Sequence, residues 1–431
     1  MEIYPTKDNV IIILLKGSSS VSYFLYTVNR FTGSVSFYPI SGTSFFPTHK
    51  DAVKYINDTY QVIKSEVKRG VALIGVAKFG PIIYIPIVKK TKLVAKILNY
   101  HNIYEIKDVE FFSMKIPFGE VLDPTAERRV NRIIEFPFAD LHFYCETCDL
   151  TSPLWKNEMN KSFVWNEFWA KPFMDLGYRD ACITLLQGIT TSDVLNFDGT
   201  LVKITMITIR EAANGGTRYF ARGLNKDGYA GNEVQCELVV ETCDGKVWST
   251  VWRRGTAPIL WRSIFSKNLP KVSHVVDDNY DKYTKIYFDR LTKDYEKVIC
   301  IDLLHNLKSV NKEEADICSS FSNAVSKTDN ILHIEYDWHT HVKESGLSSS
   351  ATELLSIFNP FISYSEGDGI LHKPCLKKEY RKNISSFLFG NELQCMVTAK
   401  HFKDIQNCIF RINCLDSLDR TNVACFFYAA K

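Results

Sequence analysis

Residues 1 to about 46 carry their hydrophobic positions in short runs, the pattern of strands separated by turns. Val10 to Leu15 is an unbroken apolar run of strand length, and Ser18 to Ser20 predicts the turn after it. Tyr23, Leu25 and Thr27 alternate with Phe24, Tyr26 and Val28 in a β-rich stretch that ends at Thr32-Gly33. Val53, Ile56, Tyr60, Ile63 and Val67 then recur at spacings of three and four, which predicts a helix over 48–70 closed by Gly70. Val71 to Val88 is long and apolar, but Lys78, Pro81 and Pro86 interrupt it, so it reads as strands. Further on, Leu201 to Ile209 alternates as a strand. Val234 to Glu241 and Val247 to Val251 are two more, joined at the hairpin signal Asp244-Gly245. Val298 to Leu304 predicts a buried strand, and Ser345 to Ser350 a polar linker before a helix at Ala351 to Ile357. Near the end, Cys408 to Asn413 is a short apolar strand containing Ile409, Phe410 and Ile412. Thr421 to Lys431 then places Val423, Phe426, Phe427 and Ala430 at helical spacing.

Composition narrows the class. A chain of 431 residues, 45% hydrophobic and 23% charged, has the make-up of a soluble protein with a large core and two or three domains. Its formal net charge of +3 is too small to argue for nucleic acid, so attraction to acidic lipid must come from local patches. Twelve cysteines without dense regular spacing read as reduced thiols of a cytosolic protein. Cys145 and Cys148, with His142 close by, lack a second pair, so no zinc site is expected. Glu2 and Asp8 stand where a signal peptide would be basic. Val10 to Leu15 is too short to cross a bilayer, so a surface position on a membrane is the remaining membrane option.

The richest chemistry lies in Arg411-Ile-Asn-Cys-Leu-Asp-Ser-Leu-Asp-Arg-Thr-Asn422. A buried strand, a tight loop and a helix form the geometry a phosphate needs. Loop N–H groups point inward, and the helix N-terminus adds partial positive charge. The same field stabilises the thiolate of Cys414, the reactive form of that side chain. Arg420 supplies a rigid fork that matches two phosphate oxygens. A bare Cys-x5-Arg is weak evidence, and the chain holds a second match at Cys375-Leu-Lys-Lys-Glu-Tyr-Arg381. That copy follows Pro374, has no apolar strand before it, and reads as a solvated basic face.

The Cys414 string closely resembles the signature of the Sac-domain phosphoinositide phosphatases. Ser417 stands where many members have a second Cys, and the Gln usual after Asn422 is missing. Arg218-Tyr219-Phe-Ala-Arg222-Gly223 is similar to the family's R-Y-x-x-R-G, Gly231-Asn232-Glu233 to part of A-N-x-V-E-x-E, and Arg254-Gly-Thr-Ala-Pro258 to R-G-S-I-P. Asp302 stands where the family tends to have Asn, and Asp337 and His339 lie in a segment like its F-D-F-H, where the histidine reads as structural. Gly75, Gly80, Tyr84, Phe143-Tyr144 and Asp149-Leu-Thr151 resemble its N-terminal subdomain, and Trp165-Asn166 and Gln187-Gly188 are further landmarks.

The resemblance implies a mixed α+β and α/β protein. Residues 1–178 form a β-rich N-terminal Sac subdomain, and residues 179–431 an α/β cysteine-phosphatase domain with a Cys-x5-Arg loop. Gly177 and Arg179-Asp180 serve as connector. The family usually continues well beyond the loop, so the C-terminal end reads as short. The implied activity is hydrolysis of monophosphates on the inositol ring of phosphatidylinositol phosphates. The setting is the cytosolic face of endomembranes, without metal or other cofactor and without nucleic acid. Cys414 is the nucleophile and Arg420 the clamp. Asp419 is the preferred general acid, with Asp416 as alternative, though loop capping explains Asp416 as well. Asn413, Leu415, Ser417, Leu418 and Thr421 line the loop. Thr421 reads either as a hydrogen-bond donor to the sulfur or as a helix N-cap. Two loop carboxylates facing one Arg420 would repel a phosphate unless one is protonated or other cations help, and by the resemblance Arg218, Arg222 and Arg254 are the best-placed cations. Their alternative is surface ion pairing. A catalytically silent phosphoinositide-binding scaffold of the same fold is the other reading.

Overall fold

The computed structural model describes the chain except residues 18–21, 39–44, 117–121, 157, 198, 244, 266–271, 307–311, 360–396, 399–405 and 431. The expected Ser18–Ser20 turn, Asp244 of the hairpin and the Cys375–Arg381 copy therefore lie outside the described residues. Two compact units emerge, Met1–Ser152 with Asn157–Thr191, and Pro153–Lys156 with Ser192–Lys431. Residue 178 lies inside the first of these.

The first unit opens with β1 (Glu2–Pro5), β2 (Val10–Lys16), β3 (Tyr23–Asn29) and β4 (Val35–Tyr38). They form an antiparallel sheet in the order β4-β3-β2-β1, extended past β1 by β5 (Lys68–Arg69). Helix α1 (His49–Thr59) buries Ala52 and Ile56 against Tyr4, Ile12, Leu14 and Leu25 on one face of this sheet. The opposite face packs Ile11, Ile13, Tyr26 and Val28 onto β6 (Ala72–Leu73) and the long β8 (Ile82–Ile97). Between them runs β7 (Ala77–Phe79). After them come β9 (His101–Lys115), α2 (Pro124–Ile134), β10 (His142–Cys145) and α3 (Glu167–Met174). The divide between units falls within β11 (Leu186–Phe197).

The helix expected over 48–70 stops at Thr59. Thr48 caps its start, but beyond Tyr60 the chain finds better partners in the sheet. Val62 bridges to Thr6, the Lys7 amide donates to the Gln61 carbonyl, and the Ile63 amide donates to the Pro5 carbonyl. β-Branched Val62 and Ile63 favour that extended course. Their helical spacing is met instead by packing Tyr60, Val62 and Val67 against the same core.

The second unit is a mixed α/β sheet. Its elements are β12 (Thr200–Arg210), β13 (Val234–Thr242), β14 (Val247–Thr256), β15 (Trp261–Phe265), β16 (Val272–Val276), α4 (Tyr280–Leu291), β17 (Lys297–Asp302), α5 (Lys312–Val325), β18 (Ile331–Glu335), α6 (Trp338–Phe358), β19 (Val397–Thr398), β20 (Cys408–Cys414) and α7 (Asp419–Ala429). Strand order runs β18-β17-β20-β14-β13-β12. The first three pairings are parallel and the last two antiparallel. Helices α6 and α7 cover one face through Leu354, Ile357, Phe358, Ala424 and Tyr428. Helices α4 and α5 cover the other through Tyr287, Phe288, Ile317 and Phe321.

The polar run Ser345–Ser350 is not a linker: α6 passes through it and breaks only at Gly346, whose φ of 76° interrupts the helical geometry. The Ser350 hydroxyl donates to the Gly346 carbonyl across that break. Among the described residues nine cysteines are free, as expected for reduced thiols, but Cys408 departs from that expectation and is disulfide-bonded. Among the described residues, no helix is long and apolar enough to cross a membrane.

Candidate active site

Strand β20 is buried along its whole length because parallel strands flank it on both sides. Cys408, Phe410, Ile412 and Cys414 point into the core under α6 and α7, and Ile409 into the core under α4 and α5. The register sets Cys414 beside Thr256, and Asn413 beside both Gly255 and Asp302. The loop therefore leaves the sheet at the C-terminal ends of β14, β17 and β20, the edge where α/β sheets gather ligands. The Ala257 and Leu303 amides tie its root by donating to the Cys414 and Asn413 carbonyls at 3.1 and 2.9 Å.

A charged platform lies directly beneath. Arg411 shares the Ile409 face and is fully buried. Its Nη2 donates to Glu233 Oε2 and to the Thr256 carbonyl, both at 2.8 Å, and its Nε to the Tyr287 hydroxyl at 3.1 Å. Tyr287 in turn donates to Glu233 Oε1 at 2.7 Å. Burial pulls the Arg411 guanidinium down, but Glu233 and Tyr287 outweigh it and hold it above its usual value. Gly255 is required here, since a Cβ would stand 2.4 Å from Arg411 Nη2 and 2.6 Å from Glu233 Oε2. Beside it, Asn413 Nδ2 donates to Asp302 Oδ1 at 2.6 Å.

The loop turns at Ser417, whose φ of 55° lies in the left-handed region. Leu418 begins α7 without any side-chain cap, so no side chain of the N-cap covers the first amides of the helix. Thr421 does not take the N-cap position, and its hydroxyl donates back to the Leu418 carbonyl at 2.9 Å. Cys414 is 2% exposed at the floor, Leu415 and Asp416 are half-buried, and Leu418 and Asp419 are exposed at the rim.

Arg420 reaches back across the loop. Its Nη1 donates to the Leu303 carbonyl at 2.9 Å and to Glu314 Oε1 on α5. Burial lowers its proton affinity, but Glu314, Cys414 and Asp302 outweigh that and raise it. Glu314 Oε1 also accepts from the His305 amide at 3.2 Å, and the His305 ring meets Asp337 at 3.2 Å and stacks on His339.

All three proposed auxiliary arginines reach the loop. Arg218 grips Asp416 Oδ2 through Nε at 2.9 Å and Nη2 at 2.7 Å, and Arg222 holds Oδ1 of the same carboxylate. Arg222 is further fixed by Ser263 at 2.8 Å. Arg254 Nη1 donates to the Ser417 carbonyl and, at 3.2 Å, to its hydroxyl. The two loop acids thus differ. Asp416 has both oxygens engaged by guanidinium donors, whereas Asp419 stands exposed in the first turn of α7.

Sequence reasoning missed Glu314, and passed over Arg411 and Tyr287 as parts of the support. Arg411 offered a signal, since a charge inside an apolar strand demands a buried partner. Glu314 offered none, because Lys312-Glu313-Glu314 reads as an ordinary solvated helix start.

The chain belongs to the family of the SacI homology domain, whose model matches residues 71–343. That match ends before the Cys414 loop. Among curated proteins it is similar to the phosphoinositide phosphatase SAC2 of Arabidopsis thaliana, 26% identical over 83% of this chain and 51% of that protein. It is likewise similar to the phosphatidylinositol-3-phosphatase SAC1 of Saccharomyces cerevisiae, 26% identical over 75% and 51%. The polyphosphoinositide phosphatase of Schizosaccharomyces pombe is 24% identical over 84% and 44%. The chain spans about half the length of these relatives.

Proposed function

We propose that the second unit hydrolyses monophosphates on the inositol ring of membrane phosphoinositides through a phosphocysteine. The observation that supports this reading is that Arg218, Arg222 and Arg254 all bond the short loop that runs from Cys414 to Arg420. The relatives' names supply the substrate class. The Cys414 thiolate attacks phosphorus, the S–P bond forms and the bond to the ring oxygen breaks. Asp419 gives its proton to that leaving oxygen, since the carboxylate of Asp416 is held by two arginines. Arg420 and the loop amides stabilise the charge spread over the equatorial oxygens. Water then attacks phosphorus and passes a proton to Asp419, and the S–P bond breaks to release inorganic phosphate and the thiolate. The Arg411–Glu233–Tyr287 platform keeps the loop root rigid.

Release of phosphate from a panel of short-chain phosphoinositides tests the reading. The unsubstituted chain should release it and Cys414→Ser should not. A well-folded chain that binds phosphoinositide but releases no phosphate from any of them is a scaffold, and activity surviving in Cys414→Ser removes the nucleophile.

A further inference from the structure

We propose that Phe220, with Tyr219 and Leu418, forms an apolar rim that enters the surface of an anionic phospholipid bilayer and seats the catalytic cradle on it. The inference rests on the preceding reading that the substrate is a membrane lipid. Phe220 is 81% exposed, and Tyr219 and Leu418 are each 39% exposed. Position separates them from other apolar side chains at the surface, which are ordinary when scattered. Leu418 belongs to the loop itself. Phe220 sits on a tight turn in which the Phe220 and Ala221 amides both donate to the Thr217 carbonyl, at 3.0 and 3.1 Å. That turn is pinned to the loop on both sides of the ring, because Arg218 and Arg222 both grip Asp416. Tyr219 lies under the same two guanidiniums, 5.4 and 4.8 Å from their centres.

An inositol phosphate free in water gains nothing from an apolar rim around its cradle. A phosphoinositide differs, since its ring is joined to the acyl chains by one phosphodiester. A protein that takes the ring phosphate into a cradle must bring the rim of that cradle to the headgroup layer. An aromatic tip with cations at its base suits that layer: the ring enters among the acyl-chain roots, and Arg218, exposed over 54% of its side chain, faces anionic headgroups. The pinned turn also makes insertion cheap in entropy, because the loop is already ordered before the lipid arrives.

The test has a binding arm and a turnover arm. In the Cys414→Ser background, co-sedimentation is measured with phosphatidylcholine vesicles containing phosphatidylinositol monophosphate. Phe220→Ser should weaken binding by about tenfold, and Phe220→Trp should restore it. With Cys414 present, Phe220→Ser should lose about tenfold in rate on those vesicles while hydrolysing a monomeric short-chain phosphoinositide within about twofold of the parent. Unchanged vesicle binding in Phe220→Ser overturns the inference. So does an equal loss on both substrates, which makes Phe220 a structural residue. If the parent hydrolyses neither substrate, the phosphatase reading fails by itself, and the binding arm still decides the role of Phe220.

Discussion

Arg420, the proposed phosphate clamp, donates to Glu314 and the Leu303 carbonyl, both outside the loop. Glu314→Gln keeps an acceptor but removes the charge that holds the fork, and kcat should fall on the order of a hundredfold if the guanidinium shifts by a fraction of its reach. Steady-state kinetics on a short-chain phosphoinositide, with a circular dichroism melt to confirm folding, checks this. The expected loss is in kcat more than in KM, because Glu314 acts through Arg420. At this scale the sequence was legible where residue type and spacing carry chemistry. That Arg218, Arg222 and Arg254 would come to the Cys414–Arg420 loop was readable from the family resemblance, and in the structure the first two pair with Asp416 while the third bonds Ser417. Glu314 was unreadable, because it lies 106 residues from Arg420 and only the packing of α5 onto the sheet brings the two together.

At the scale of elements, β14 and β20 run side by side so closely at Gly255 that only hydrogen fits between the backbone and the Arg411–Glu233 pair. Gly255→Ala should destabilise the unit by about 1–3 kcal/mol, since a fully buried ion pair has no room to step aside. Urea denaturation followed by tryptophan fluorescence measures the shift in midpoint. Strand starts were readable to the residue: Val234–Thr242, Val247–Thr256 and Cys408–Cys414 each begin where the apolar run begins, though the second runs past the expected Val251. The failures have a shared cause. Helical spacing in residues 60–70 was genuine but satisfied by extended backbone, because hydrogen bonds to Pro5, Thr6 and Lys7 lay within reach. The serines of 345–350 look like a linker only until Asp337 caps a helix upstream and carries it through them.

The molecule as a whole has a buried carboxylate that couples its stability to pH. Glu237 lies wholly inside the second unit, where desolvation raises its pKa from 4.5 to about 7, against the opposing hydrogen bonds from Ser249 and Leu154. The folded protein therefore keeps a proton that the unfolded chain releases above pH 4.5. Stability should fall as pH rises from about 4.5 to about 7 and level off beyond it. Both hydrogen bonds end on Oε1, so Glu237→Gln preserves them and should abolish this slope, raising the melting temperature above pH 7. Thermal melts of both proteins across that range test it. Nothing in the sequence announced the site, because Glu237 occupies what reads as a polar slot in an alternating strand. The order of the strands holds a last consequence. β20 is the last strand among the described residues, yet it sits between β14 and β17, both translated long before it. Until the ribosome has delivered residues 408–414, these two strands present open edges in the nascent chain. The waiting intermediate is thus a client for chaperones and a seed for aggregation, and a premature stop before Cys408 should yield insoluble protein rather than a smaller folded one.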